Sequence, residues 1–127
     1  MEIEAIPAFR DNYLWLLHGG RTAVVVDPGD AAPVEARLAE RQLRLAAMLI
    51  THHHADHVGG IKRLAERYRV PVYGPAREAI EGVTHPVREG DVVEVTDWEE
   101  ASPLRFQVLE VPGHTLGHVA YYRPNTL

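Results

Sequence analysis

At 127 residues, 46% hydrophobic and 24% charged, the chain is sized for one domain with its own core, and its composition excludes disordered, fibrous and multi-domain readings. The absence of cysteine excludes disulfides, thiolate metal sites, cysteine nucleophiles and CxxC redox pairs, so any bound metal must be held by histidine and carboxylate. A formal net charge of −5, with eight acidic residues against Arg88 and Arg105 between Glu81 and Glu110, argues against a phosphate-binding surface and so against nucleic acid as a partner.

In chain order, Met1–Glu4 has neither a basic nor an apolar leader, and no apolar run approaches the ~20 residues that cross a bilayer. A cytoplasmic location without membrane contact is the expectation. Glu2–Ile6, Tyr13–Leu17 and Thr22–Val26 are apolar or alternating runs bounded by Pro7, Asp11-Asn12 and Gly19-Gly20, which predicts a β-meander. Asp27-Pro28-Gly29-Asp30 reads as a turn, with Asp30 capping a helix whose Ala31, Val34 and Leu38 form an apolar stripe opposite Arg37, Glu40 and Arg44. Leu45–Ile50 is a continuous apolar run, as in a strand buried on both faces, and the strand–helix–strand order predicts a crossover. A histidine-rich loop follows, then a second helix in which Ile61, Leu64, Ala65 and Tyr68 share a face. Val70–Tyr73 predicts a short strand, Asp91–Val95 and Leu104–Val111 longer ones, and Val119–Tyr122 another, with Asp97–Pro103 a polar connection. With no internal repeat or linker, residues 1–127 read as one α/β unit.

Six of the eight histidines, His52, His53, His54, His57, His114 and His118, fall in two short segments. In His52-x-His54-x-Asp56-His57, the two-residue spacing sends the imidazoles of His52 and His54 to one side of an extended backbone, where they can grip one ion. Asp56 and His57 come as the chain turns into the helix and can face a second ion or a water. Four nitrogen and oxygen donors in six residues suit Zn²⁺, Fe or Mn²⁺; a solvated polyhistidine tag would be terminal and would lack the aspartate. Catalytic metal sites keep a position open for water, so two half-sites in one loop point to metal-assisted hydrolysis. Pro112-Gly113-His114-Thr115-Leu116-Gly117-His118 adds donors where glycine lets the backbone turn tightly after an apolar strand. One of its two histidines completes a three-histidine set: His114 is the ligand candidate, and His118 reads as a loop brace or a partner behind the ligands. His53 should point away from its neighbours, and His18 and His85, beside Gly19 and Pro86, read as exposed turn residues.

Thr51-His-His-His-Ala-Asp-His57 resembles the signature loop of the metallo-β-lactamase superfamily. The flanking segments Ile6-Pro7-Ala8-Phe9-Arg10-Asp11-Asn12-Tyr13-Leu14, Val25-Val26-Asp27-Pro28-Gly29 and Val111-Pro112-Gly113-His114-Thr115-Leu116-Gly117-His118 resemble the glyoxalase II, or hydroxyacylglutathione hydrolase, family in register to the chain's end. The resemblance implies the N-terminal half of an αββα sandwich with the site at the strand ends between its sheets. It implies that His52, His54 and His114 hold one ion, zinc with Fe or Mn²⁺ as alternatives, and that Asp56 and His57 hold another. Asp27, which on its own reads equally as a turn-former, would orient the histidine loop. The implied reaction is attack of metal-bound hydroxide on a small-molecule thioester such as S-lactoylglutathione, releasing lactate and glutathione. The lack of cysteine and of a serine elbow motif agrees with a reaction that needs no side-chain nucleophile.

The resemblance covers roughly the first half of such enzymes. Their Gly-Asp-Thr-like segment with a metal-bridging aspartate, a later histidine and a helical glutathione-binding region have no counterpart before Leu127. The chain is therefore expected to be a fragment that binds metal poorly and turns over little alone. It is expected to self-associate through an uncovered sheet surface and an open edge near Val119–Tyr122. Alternatives are another hydrolase of the superfamily acting on lactones or β-lactams, a di-iron redox protein, or a metal-binding module without chemistry. Redox relatives carry glutamate where His54 stands, which favours hydrolysis.

Overall fold

The computed structural model describes residues 2–8, 12–52, 58–78, 80–98, 104–111 and 119–123. β1 (Glu2–Ala8), β2 (Asn12–His18) and β3 (Thr22–Val26) form the expected antiparallel meander. β1 runs through Pro7, which the sequence marked as its end; it is an edge strand, where a residue without an N–H is tolerated. The Asp30 side chain accepts from Ala32 N at 3.3 Å and caps α1 (Ala31–Arg41), which buries Ala31, Val34 and Leu38. Through α1 the chain crosses over to β4 (Arg44–Leu49), parallel to β3. A register shift pairs Ala23 with Leu45 but Val24 with Ala47, so Ala46 is an extra residue and both alanines face the same core.

α2 (Val58–Tyr68) packs Ile61 and Leu64 inward and leads to β5 (Val72–Pro75), parallel to β4. β6 (His85–Val87) then pairs with β5 and completes a six-stranded sheet in the order β1 to β6. This strand had no signal in sequence, because only Val87 of its three residues points into the core. β7 (Val92–Val95), β8 (Leu104–Glu110) and β9 (Val119–Tyr122) form a second, antiparallel sheet whose inward residues alternate with exposed ones. Trp98, inside the segment read as a polar connection, is buried against this core.

Val25, Val34, Leu38, Met48 and Leu64 fill the space between the helices and the large sheet. Val24, Leu49, Val93, Phe106 and Val108 fill the space between the sheets. The layers are therefore helix, sheet, sheet, three of the four in the expected sandwich. The expectation of an uncovered sheet surface is corrected in part: β7–β9 cover the large sheet around Leu17, Val24 and Leu49, whereas Ile3, 65% exposed, and Trp15, 46%, lie on the same face as Leu17 and stay bare, as do Val92, Leu109 and Tyr122 on the second sheet's outer face. β9 lies at its edge, as expected.

His18 is a second correction. It ends β2 in phase with Leu14 and Leu16, on the face roofed by α1, and is only 6% exposed. Its Nε2 lies 3.3 Å from Glu4 Oε2, and Glu4 is in turn paired with Arg37 and Arg41 of α1. His85 is exposed, as expected, but belongs to β6 rather than to a turn. Among the described residues no helix is long and apolar enough to cross a membrane.

Candidate metal centre

β3 and β4 are parallel neighbours, so the residues that follow them emerge side by side at one end of the sheet. Asp27 follows β3 with its N–H donating to Leu49 O at 2.9 Å, and its φ of 52° is a left-handed conformation that aspartate visits more readily than most residues. Both carboxylate oxygens then bind one residue beyond β4: Thr51 N donates to Oδ1 at 2.8 Å and Thr51 Oγ1 to Oδ2 at 2.6 Å. Thr51 Oγ1 also lies 2.7 Å from His52 Nδ1. A carboxylate cannot donate, so the hydroxyl proton is committed to Asp27 and Oγ1 must accept from His52 Nδ1–H. In the neutral ring this is the Nδ1–H tautomer, whose lone pair is on Nε2.

The second sheet meets the same point. Val119 N, one residue after His118, donates to Thr51 O at 2.8 Å. Tyr121 Oη donates to Ile50 O at 2.7 Å and lies 3.3 Å from Tyr73 O. Burial, reinforced by the Asp27 charge, pushes the Tyr121 phenol well above its usual range despite the opposing bond to Ile50. On the other side of the loop, a Cβ at Gly60 would lie 2.7 Å from Gly29 C and 2.8 Å from Gly29 O, and closer still to Pro28 O. The first turn of α2 thus rests backbone to backbone on the turn that starts at Asp27. Both ends of the histidine loop, Thr51 and Gly60, are anchored on Asp27–Gly29.

Residues 8–126 match the family model of the metallo-beta-lactamase superfamily. The chain belongs to that superfamily. The hydroxyacylglutathione hydrolase of Nitrosomonas eutropha is 47% identical over 127 residues, which is 100% of this chain and 48% of the relative. Among solved structures, the BLEG-1 B3 metallo-beta-lactamase is similar with a TM-score of 0.79 at 25% identity, over 95% of this chain and 66% of that one. TTHA1623 in a di-iron-bound form is similar with a TM-score of 0.67 at 31% identity, over 92% of this chain and 64% of that one. The chain spans about half the length of the curated relatives it matches.

Membership of the metallo-β-lactamase superfamily implies a divalent metal site. Of the residues singled out in sequence, Asp27 and His52 stand together as above, whereas His53, His54, Asp56, His57, His114 and His118 lie outside the described residues. Among the described residues no group of three His, Asp or Glu side chains is gathered for a metal. The residues present nonetheless fit such a group: the donors are imidazole and carboxylate, and His52 is held in the tautomer that offers Nε2. The sequence reading held Thr51 only as the first residue of the histidine motif and Tyr121 only as part of a strand, and gave Gly60 no role. A glycine in the first helical turn is the one signal that could have raised Gly60. A cavity of about 310 Å³ lies at the opposite, N-terminal ends of β4 and β5, beside the Arg44–Asp97 ion pair that holds the Asp97 carboxyl below its usual range.

Proposed function

We propose that this chain carries the metal-binding part of a hydroxyacylglutathione hydrolase, cleaving S-lactoylglutathione or a related 2-hydroxyacyl thioester with water to the hydroxy acid and glutathione. Residues 1–127 form part of one metallo-β-lactamase domain. His52, His54 and His114 hold one divalent ion, zinc in this reading, and Asp56 and His57 hold a second. Bound there, the metal pair supplies Lewis-acid polarisation of the thioester carbonyl and an acidified water as nucleophile. The chain's own residues do the positioning: Asp27 takes both Thr51 donors and Thr51 takes the His52 Nδ1 proton.

The observation that carries this reading is the convergence on Thr51. Its hydroxyl binds His52, while its carbonyl binds Val119, so the residue that opens the first histidine segment is joined to the residue that follows the second, more than 50 positions along the chain. The 47% identity to a hydroxyacylglutathione hydrolase favours a thioester over the β-lactam suggested by the lactamase neighbour at 25%. The test offers S-lactoylglutathione, a lactone and a β-lactam to the zinc-loaded protein and to His52→Ala. Thioester turnover, slow in this chain alone, should lead the three and be lost in the variant. A lactone or β-lactam preference, or thioester turnover that survives His52→Ala, refutes the reading.

A further inference from the structure

β9 is four residues long, with Val119 and Tyr121 facing the large sheet. The Tyr121 ring packs edge-on to Phe106, with centroids 6.5 Å apart, in a core where phenylalanine would serve as well for packing alone. Its hydroxyl is therefore the informative group, since a buried phenol needs a partner. It crosses the gap between the sheets to Ile50 O.

Ile50 O and Thr51 N belong to one peptide unit. Tyr121 holds that unit at its carbonyl and Asp27 holds it at its N–H. The next unit, Thr51 to His52, is held at its carbonyl by Val119 N. One short strand thus fixes two consecutive peptide planes immediately before the His52 side chain, and the same strand starts one residue after His118. We infer that Tyr121 is a positioning residue: its hydroxyl, reaching from the second sheet to the end of β4, sets the Thr51 peptide and so the direction in which His52 presents Nε2. The inference rests on the reading of His52 as a metal ligand.

The test compares wild type, Tyr121→Phe and Tyr122→Phe as full chains by NMR, without metal and during titration with Zn²⁺. Tyr121→Phe keeps the ring and its contact with Phe106. It should speed hydrogen exchange at Thr51 N–H and Val119 N–H while leaving Leu16 and Val24 unchanged. It should also blur the single Nδ1–H tautomer of His52 and weaken Zn²⁺ affinity about 10-fold, the size seen when a partner behind a metal ligand is removed. Tyr122→Phe, altering an exposed side chain, should match wild type. Unchanged Thr51 and His52 signals in Tyr121→Phe overturn the inference, and so does a uniform rise in exchange across the core, which would make Tyr121 a packing residue only. Independently of any variant, the wild-type Tyr121 hydroxyl proton should exchange slowly with water; rapid exchange overturns the inference. If Zn²⁺ leaves the wild-type His52 signals unmoved, the ligand reading falls and the inference with it, a failure distinguished from the others by an intact effect of Tyr121→Phe on Thr51.

Discussion

Replacing Asp27 with asparagine separates charge and proton direction from shape. The backbone is not the issue, because asparagine tolerates the φ of 52° at least as well as aspartate. The amide keeps one oxygen for Thr51 N–H, now 2.8 Å from Oδ1, but presents NH₂ to the hydroxyl that now donates to Oδ2 at 2.6 Å. Thr51 Oγ1 must then accept from the amide and turn its proton toward His52 Nδ1, which forces the ring into the Nε2–H tautomer. That form has no lone pair on Nε2 to offer a metal. Losing an orienting partner of this kind costs about 10- to 100-fold in metal affinity, or about 1.4–2.8 kcal/mol. Competition with a chelator for Zn²⁺ reads the affinity, and imidazole ¹⁵N shifts read the tautomer in the metal-free chain. Zn²⁺ affinity equal to wild type, or a His52 ring that stays Nδ1–H in Asp27→Asn, would refute the proton relay from Asp27 through Thr51.

Two further outcomes follow from the same geometry. Gly60→Ala gains about 1 kcal/mol of helix propensity but drives a methyl into the Pro28–Gly29 backbone, an overpacking of about 3 kcal/mol or more; thermal unfolding should show a net loss of about 2 kcal/mol or more, and a raised melting temperature contradicts the close approach. Tyr121 keeps its proton in the folded chain at pH values where the unfolded chain releases it, so its contribution is intact below about pH 10 and is lost as pH rises above that. Denaturant titrations should show stability falling by up to about 1.4 kcal/mol per pH unit above pH 10, a fall that Tyr121→Phe flattens.

Elements whose burial is set locally were legible in sequence. The Leu45–Ile50 run announces a strand covered on both sides, and Asp30 with Ala31, Val34 and Leu38 announces the cap and inner face of α1. What escaped depends on partners distant in sequence. His18 is buried because α1 roofs it, β6 exists because β5 offers an edge, and Trp98 is inward because the second sheet folds back. The same holds at the candidate site. Asp27 and Thr51 are 24 residues apart and meet only through the parallel register of β3 and β4, so the residue that joins them to His52 looked like a motif flank. Gly60 matters through a backbone contact and Tyr121 through one oxygen crossing the sandwich, neither of which leaves a periodic trace.

The most direct test of the central claim is the position of a metal in crystals of the chain soaked with Zn²⁺, located by anomalous diffraction at the zinc edge. A peak is expected about 2.0–2.1 Å from His52 Nε2, with His54 and His114 as its other histidine neighbours. Zinc bound through His52 Nδ1, or found only at His18 with Glu4 or at His85, would contradict it.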